Sequence, residues 1–402
     1  MSRHRVSDGE LHAIFEEEVM PFVFRNRHPA ERPELVLLGA QPAAGKSKAQ
    51  AAVFRTHPTV VPLSGDALRR FHPHYDALME HDPLAMPNAT AQASGAWVRM
   101  SIDHARQNGY SLLLEGIFRD PDMTMGTAHE FAESGYRVHV VALGVNERVS
   151  RLDSVNRYLS PGADANRWTP ATAHDLGYRM SPHTVQAAED SPHVHRITIT
   201  DRTGQDLFTN TRTPEGEWAG PTGAKAALLA SRERPLPMED ARRWLSRRED
   251  YTAALIRRGE LGAITRPTLE RLHVDADSVA LQAWPAPGDA WRLGRHRSKQ
   301  RVHRYVLDSA ADGVPNELLP TSPVEFLLED VDLEVEAPDG GYERERQRRA
   351  RLPADRTELE AQVRREARVE PTRTRASHLA SLARGAKPFS RRPARKDPEI
   401  EL

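Results

Sequence analysis

Leu35-Val-Leu-Leu-Gly-Ala-Gln-Pro-Ala-Ala-Gly-Lys-Ser47 is an apolar run that stops abruptly at small residues, followed by the helix-forming stretch Lys48-Ala-Gln-Ala-Ala-Val-Phe54. This strand–loop–helix order is the setting in which a P-loop cradles nucleotide phosphates. Small residues let backbone N–H groups approach phosphate oxygens, and the helix N-terminus adds positive potential. Lys46 can reach the β- and γ-phosphates, and Ser47 can hold Mg²⁺. The pattern G-x-x-x-x-G-K-[ST] asks for Gly at position 40, where this chain has Ala40, with Gly39 one place early. The competing reading is an ordinary strand-to-helix turn with a solvated Lys46.

Working outward, strand-like and helix-like segments alternate. An amphipathic helix over 8–25 carries Leu11, Ile14, Phe15, Val19 and Phe22 near helical spacing. Strands are expected at Leu35–Leu38, Thr59–Leu63, Tyr110–Glu115, Arg137–Leu143, Val194–Thr200 and Gln205–Thr209. Helices are expected at Gln92–Gln107, Thr127–Glu133 and Asn146–Leu159, with another opened by Thr169 as N-cap and Pro170 at its first position. Near-continuous apolar strands between helices predict an α/β fold: a P-loop NTPase-type parallel sheet covered by helices on both faces. Past about residue 225 the pattern changes. Met238–Arg258 reads as a helix and Leu269–Ala283 as short apolar patches, and beyond Pro338 large apolar residues thin out. The expected organisation is an α/β domain over 1–224, a small helical region over 225–330 and a charged, largely disordered tail over 331–402.

Composition agrees with a core that does not fill the whole chain. Of 402 residues, 39% are hydrophobic and only 6% aromatic. Cysteine is absent, which excludes disulfides, a thiol nucleophile and a Cys-based zinc site. No apolar run approaches a membrane span, and the charged N-terminal segment does not read as a secretory leader, so a cytoplasmic protein is expected. A net charge of −1 gives no argument for nucleic acid as a partner. The basic stretch from Arg373 to Lys396 has only Phe389 as an aromatic, so base stacking is unsupported and a solubilising tail is the plainer reading.

In open α/β sheets, ligands sit beyond the carboxyl ends of the strands. After the first strand comes the P-loop, after the second Asp66, and at the end of the third Glu115 with Gly116. Phosphoryl transfer needs a phosphate cradle, Mg²⁺, a carboxylate near the acceptor hydroxyl, and cations for the transferring group. Arg157 and Arg167 flank the Pro161-Gly-Ala163 breaker after the fourth strand. That position suits a lid closing over phosphates, where arginines can be worth ~10³–10⁵ in rate.

At this point a resemblance becomes specific. Ala40-Gln41-Pro42-Ala43-Ala44-Gly45-Lys46-Ser47 resembles the Gly-Gln-Pro-Gly-Ser-Gly-Lys-Thr loop of zeta toxins, the kinase toxins of epsilon/zeta toxin–antitoxin systems. Asp66 followed by Phe71-His72-Pro73 and Tyr75-Asp76 is similar to that family's Asp-x5-His-Pro-x-[Tyr/Phe]-Asp segment. Leu113-Leu-Glu115-Gly116 is similar to its Val-Ile-Glu-Gly strand end. Arg157-Tyr158, Arg167-x-Thr169-Pro170 and Ala173-His-Asp175 are similar to its lid and the helix after it. The five motifs stand in order over roughly residues 8–210.

The resemblance implies a kinase that uses ATP or GTP with Mg²⁺ to phosphorylate the sugar 3′-hydroxyl of UDP-N-acetylglucosamine, poisoning cell-wall synthesis. Asp66 would then be the general base. Lys46 would bind the β- and γ-phosphates within a loop formed by residues 40–47, and Ser47 would ligate Mg²⁺. Glu115 and His72 would hold substrate, and Arg157 and Arg167 would stabilise charge on the transferring phosphoryl. An antitoxin protein is the implied partner. Three departures stand out. Ala40 and Ala43 replace loop glycines, where a Cβ at positive φ would strain the loop. Phe118-Arg119 follows Glu115-Gly-Ile117 where a shorter polar sequence is the family expectation, and this could alter the acceptor. The rival readings are a kinase of another small molecule or nucleic-acid end, and a non-catalytic nucleotide-binding module. Among the 18 histidines, His72 and His74 are separated by Pro73 and lack ligand spacing. His193 and His195 read as strand-edge residues. His174 reads as a helix or substrate-shell residue that does not face Asp175, and Trp97 as core.

Overall fold

The computed structural model describes residues 4–160 and 167–321. The chain enters through helix α1 (Asp8–Ile14), whose Ser7 and Glu10 cap each other's backbone reciprocally. A π-helical turn (Phe15–Val19) and α2 (Met20–Phe24) follow. Leu11, Val19, Val23 and Phe24 from this run are buried in the main core, and buried Trp97 donates its indole N–H to the Leu11 carbonyl at 3.0 Å. Most of the apolar face of the N-terminal helix is therefore spent on packing, while Phe22 remains exposed.

Strand β1 (Glu34–Gly39) runs into the loop and α3 (Lys46–Thr56). Strand β2 (Val61–Ser64) leads to three short helices, α4 (Gly65–Leu68), α5 (Tyr75–His81) and α6 (Met86–Ala89), and then α7 (Ala91–Asn108). Strand β3 (Leu112–Gly116) is followed by α8 (Pro121–Glu133), which begins earlier than its apolar residues suggest because Asp120 caps it and Pro121 suits the first turn. Strand β4 (Arg137–Leu143) precedes α9 (Glu147–Leu159), and α10 (Ala171–Asp190) precedes β5 (Arg196–Thr200) and β6 (Asp206–Thr211). The six strands are ordered β2-β3-β1-β4-β5-β6. All neighbours are parallel except the β5–β6 hairpin. The loop after β1 thus lies at the middle of the sheet's carboxyl edge, between the ends of β3 and β4. Separate apolar cores cover the two faces of the sheet.

One helix start differs from the expectation. Thr169 does not cap α10, whose first residue is Ala171 with Pro170 before it. The Thr169 hydroxyl is taken instead by Arg157, which donates from Nη2 at 2.7 Å.

Helix α11 (Ala224–Glu233) packs on the main core through Ala224 and Leu228. Three longer helices follow: α12 (Met238–Arg257), α13 (Arg266–Ala283) and α14 (Ala290–Ala311). The patches in Leu269–Ala283 are one continuous face, with Leu269, Leu272, Ala276, Val279, Ala280 and Ala283 all buried. The alanines made the face look sparse in sequence, yet small residues at helical spacing let helices approach closely. A second core joins α12, α13 and α14 to Leu152, Val155, Tyr158 and Trp168. Among the described residues no helix is long and apolar enough to cross a membrane. The charged tail over 331–402 lies outside the described residues.

Leu272 is fully buried in the second core. Leu272→Ala should lower unfolding stability by about 2–5 kcal/mol, read from the denaturant midpoint. An unchanged midpoint would mean that α13 is not packed as described.

Candidate active site

The loop residues fall into two groups. Ala40 and Ala44 are fully buried, packed with Val36, Leu38 and Ala49 behind the loop. Ala43 takes the left-handed conformation with φ +58, and Gly45 does so with φ +94. Strain from the lost glycines therefore sits at Ala43, at about 1–2 kcal/mol for a non-glycine residue. The methyl of Ala40, at ordinary negative φ, fills core space. Gly39 has its own reason: a Cβ there would lie 2.2 Å from the Phe118 ring. Phe118 is itself buried in the core at φ +51, so it does not line an acceptor site as its sequence position suggested.

Gln41 is the pin of the loop. Its side chain is fully buried. Nε2 donates to the Val145 carbonyl at 2.8 Å and to Ser150 Oγ at 3.2 Å, and Oε1 accepts from Arg232 Nη2 at 3.2 Å. Gly177 of α10 lies against it so closely that a Cβ would sit 3.3 Å from Gln41 Cα. Arg232, in the last turn of α11, also donates to the Tyr178 carbonyl at 2.7 Å and to Ser181 Oγ at 2.5 Å, and stacks on the Tyr178 ring. Burial pushes its guanidinium down to about 10.

In front of the loop, α3 starts at Lys46 with no side-chain cap and no acidic residue in its first turn. Its leading N–H groups and its positive dipole end are left for an anion. Lys46 Nζ lies 3.6 Å from Glu115 Oε1 and donates to the Ala40 carbonyl at 3.4 Å. Burial pushes the Lys46 ammonium down, and Arg157 adds to this, while Glu115 and Asp66 oppose it. Asp66 bridges Arg167 Nη1 at 3.1 Å and Arg69 Nε at 3.1 Å, with 44% of its side chain still accessible. Desolvation by its surroundings pushes the Asp66 carboxyl up, but Arg167, Arg69 and Arg157 more than offset this and hold it below the usual range. This carboxylate is ionised at neutral pH. Because its folded value lies below its unfolded one, its contribution to stability persists above the ordinary aspartate range and is lost as pH falls through the folded value.

The structure thus brings Asp66, Lys46, Glu115 and Arg167 together, with Arg157 within electrostatic reach of both Lys46 and Asp66. Ser47 is exposed beside them at the start of α3, with Pro42 half-buried in the loop. An exposed hydroxyl following Lys46 in the chain, at an uncapped helix start, has the chemistry of a Mg²⁺ ligand. The Pro161-Gly-Ala163 breaker lies outside the described residues.

His72 is not brought to the site. It is buried, Nε2 donates to the His4 carbonyl at 3.0 Å, and Nδ1 accepts from the His74 amide at 3.1 Å. Both nitrogens are committed, Nε2 to the N-terminal segment and Nδ1 to the turn that follows His72. His174 also differs from its reading, since Nδ1 lies 3.6 Å from Asp175 Oδ1 and Nε2 lies 2.8 Å from Ser150 Oγ, the hydroxyl that also meets Gln41. Inspection of strand ends could not find Arg232 or Ser150, which stand behind the loop. Arg69 was accessible from its three-residue spacing to Asp66 on a helical turn.

The zeta toxin family model matches residues 23–213. The toxin zeta of Enterococcus hirae is 26% identical over 211 residues, covering 51% of this chain and 74% of that protein. The toxin PezT of Streptococcus pneumoniae is 26% identical over 186 residues, covering 44% of this chain and 72% of that protein. A solved structure from the PezAT chromosomal toxin–antitoxin system of Streptococcus pneumoniae superposes with a TM-score of 0.52 at 20% identity, covering 62% of this chain and 99% of the other. At that identity the likeness is one of fold.

Two substitutions separate the roles of the loop alanines. Ala40→Gly removes a buried methyl and adds chain entropy, so it should cost about 1–2 kcal/mol of stability. Ala43→Gly should relieve strain and tighten ATP–Mg²⁺ binding in a titration. Tightening by Ala40→Gly alone would reverse this assignment. Arg232→Met should speed amide hydrogen exchange in residues 40–45, and unchanged exchange would show that Arg232 does not brace the loop.

Proposed function

Residues 23–213 are a domain of the zeta toxin family, whose members are kinase-like toxins, and from that premise we propose that this chain is a nucleotide-sugar kinase. It transfers the γ-phosphoryl of ATP or GTP to the 3′-hydroxyl of the sugar in UDP-N-acetylglucosamine, in the cytoplasm, and so withdraws a cell-wall precursor. The observation that carries the reading is the convergence of Asp66, Lys46, Glu115 and Arg167 at the carboxyl edge of the sheet. In this reading Lys46 and the uncapped backbone N–H groups at the start of α3 hold the phosphates. Ser47 would hold Mg²⁺, which would supply positive charge to the triphosphate, and Glu115 helps order the acceptor. The acceptor hydroxyl loses its proton to the Asp66 carboxylate as its oxygen bonds to the γ-phosphorus. The β–γ bridge then breaks and ADP or GDP departs.

The arginines take two roles in sequence. Arg167 pairs with Asp66 at 3.1 Å. A bound triphosphate offers Arg167 a stronger partner, and its transfer to the phosphates leaves Asp66 more basic next to the acceptor. Arg157, hydrogen-bonded to Thr169, is in reach of the same charge. The closed site then supplies cations where negative charge develops.

A second reading, a nucleotide-binding module without transfer, is favoured by the strained Ala43 alone. The reported relatives are named as toxins, and the solved relative comes from a toxin–antitoxin system. An antitoxin covering the nucleotide edge is therefore the proposed partner.

Asp66→Asn should keep ATP–Mg²⁺ affinity within a few-fold while ADP release with UDP-N-acetylglucosamine falls by roughly 10²–10⁴. The same substitution should abolish growth arrest on expression. Equal turnover in both proteins would remove Asp66 from the chemistry, and failure of the wild type to bind ATP–Mg²⁺ would remove the kinase.

A further inference from the structure

The amino edge of the sheet, opposite the nucleotide edge, holds a second cluster. His129 and Glu133 are four residues apart at the end of α8, which puts them on one helix face. Helix α8 runs back from the carboxyl end of β3 and turns into β4, while α10 runs back in the same way and turns through His193 into β5. Because β4 and β5 are neighbours in the sheet, the two turns meet. There His129 Nδ1 faces His193 Nε2 at 3.1 Å, with ring centroids 4.3 Å apart at 59°. A carboxylate oxygen of Glu133 completes a set whose ligand atoms all lie within 4.8 Å of one another. His193 pairs with a residue 64 positions away, a partner that local spacing does not reveal.

We propose that His129, Glu133 and His193 form a binding site for a divalent transition ion, with Zn²⁺ the best fit. Two imidazole nitrogens this close share a proton or hold a cation. Bound tetrahedrally at ~2.0–2.1 Å from Zn²⁺, they would stand about 3.3–3.4 Å apart, a shift of only a few tenths of an ångström. Two nitrogens and one carboxylate favour zinc over magnesium, which prefers an all-oxygen octahedron. His129 and Glu133 are exposed, so water can take the remaining position and ions can enter without unfolding.

The helix supplies an independent argument. The C-terminal end of α8 carries the negative pole of the helix dipole, yet Glu130 and Glu133 stand there and its last turn has no basic residue. Like charge gathered at that pole is unfavourable, and a divalent cation offsets it. The ion would tie the end of α8 to the loop before β5, bracing two neighbouring strands from the side away from the P-loop. The proposal does not depend on the kinase reading.

The test uses the full chain, stripped with chelator and titrated with Zn²⁺ against a competing chromophoric chelator. Wild type should bind one equivalent at this site and gain several degrees in Tm. The His129→Ala/His193→Ala variant should bind that equivalent at least about tenfold more weakly and lose the Tm gain, with Glu133→Gln intermediate. Circular dichroism checks that each variant is folded. ATP–Mg²⁺ binding should be the same in all. Equal Zn²⁺ affinity in wild type and the double variant, or no binding by wild type, overturns the proposal.

Discussion

A buried side-chain amide cannot be left without partners, and the amide of Gln41 finds its partners on three different elements. It donates to the Val145 carbonyl after β4 and to Ser150 on α9, and it accepts from Arg232 on α11. The loop proposed to receive phosphates is thereby fixed from behind, which leaves the start of α3 uncapped. Preorganisation of this kind is worth more than any one contact, because donors already aimed at a charge need not reorganise when it arrives. The close approach of Gly177 belongs to the same arrangement, since a larger residue would push α10 off the loop.

The C-terminal helices enter the same logic. Helix α12 lies along α9, with Trp244 donating to the Arg148 carbonyl, Arg247 paired with Asp153, and Tyr251 bonded to Asn156. Arg151 on α9 meets Asp275 on α13, while Arg271 on α13 meets Asp175 on α10. Tyr158 and Trp168, at the two ends of the segment carrying Arg157 and Arg167, pack edge to face in the second core. Arg157 and Arg167 therefore stand beside a frame that lies partly beyond the residues matched by the family model. Burial of such charges carries a desolvation cost that a looser apolar contact would not, so these pairs fix geometry more than they add stability.

Much of this was legible in sequence where local rules act. The bounds of strand β4 were legible because six consecutive buried residues, 138–143, between Gly135 and Gly144 leave little freedom. That Asp66, Glu115 and Lys46 lie near one another was legible because all three stand at or just past the carboxyl ends of strands in a parallel sheet. What sequence could not yield is long-range pairing. Nothing near Arg232 points to Gln41, 191 positions away. The spacing around Thr169 favours a helix cap, and only the fold reveals that Arg157 competes for its hydroxyl. His72 was carried over by a motif, yet that motif serves the N-terminal segment here. Pattern matching counts missing glycines at both positions 40 and 43, while φ identifies Ala43 as the residue under strain.

The central claim is phosphoryl transfer onto a sugar hydroxyl of a nucleotide sugar. Phosphorus NMR of the protein incubated with ATP, Mg²⁺ and UDP-N-acetylglucosamine tests it directly. The account predicts a new phosphomonoester resonance, coupled to the sugar 3′ proton, growing in step with ADP. An intact nucleotide sugar beside unchanged ATP, or beside ADP and inorganic phosphate alone, would contradict it.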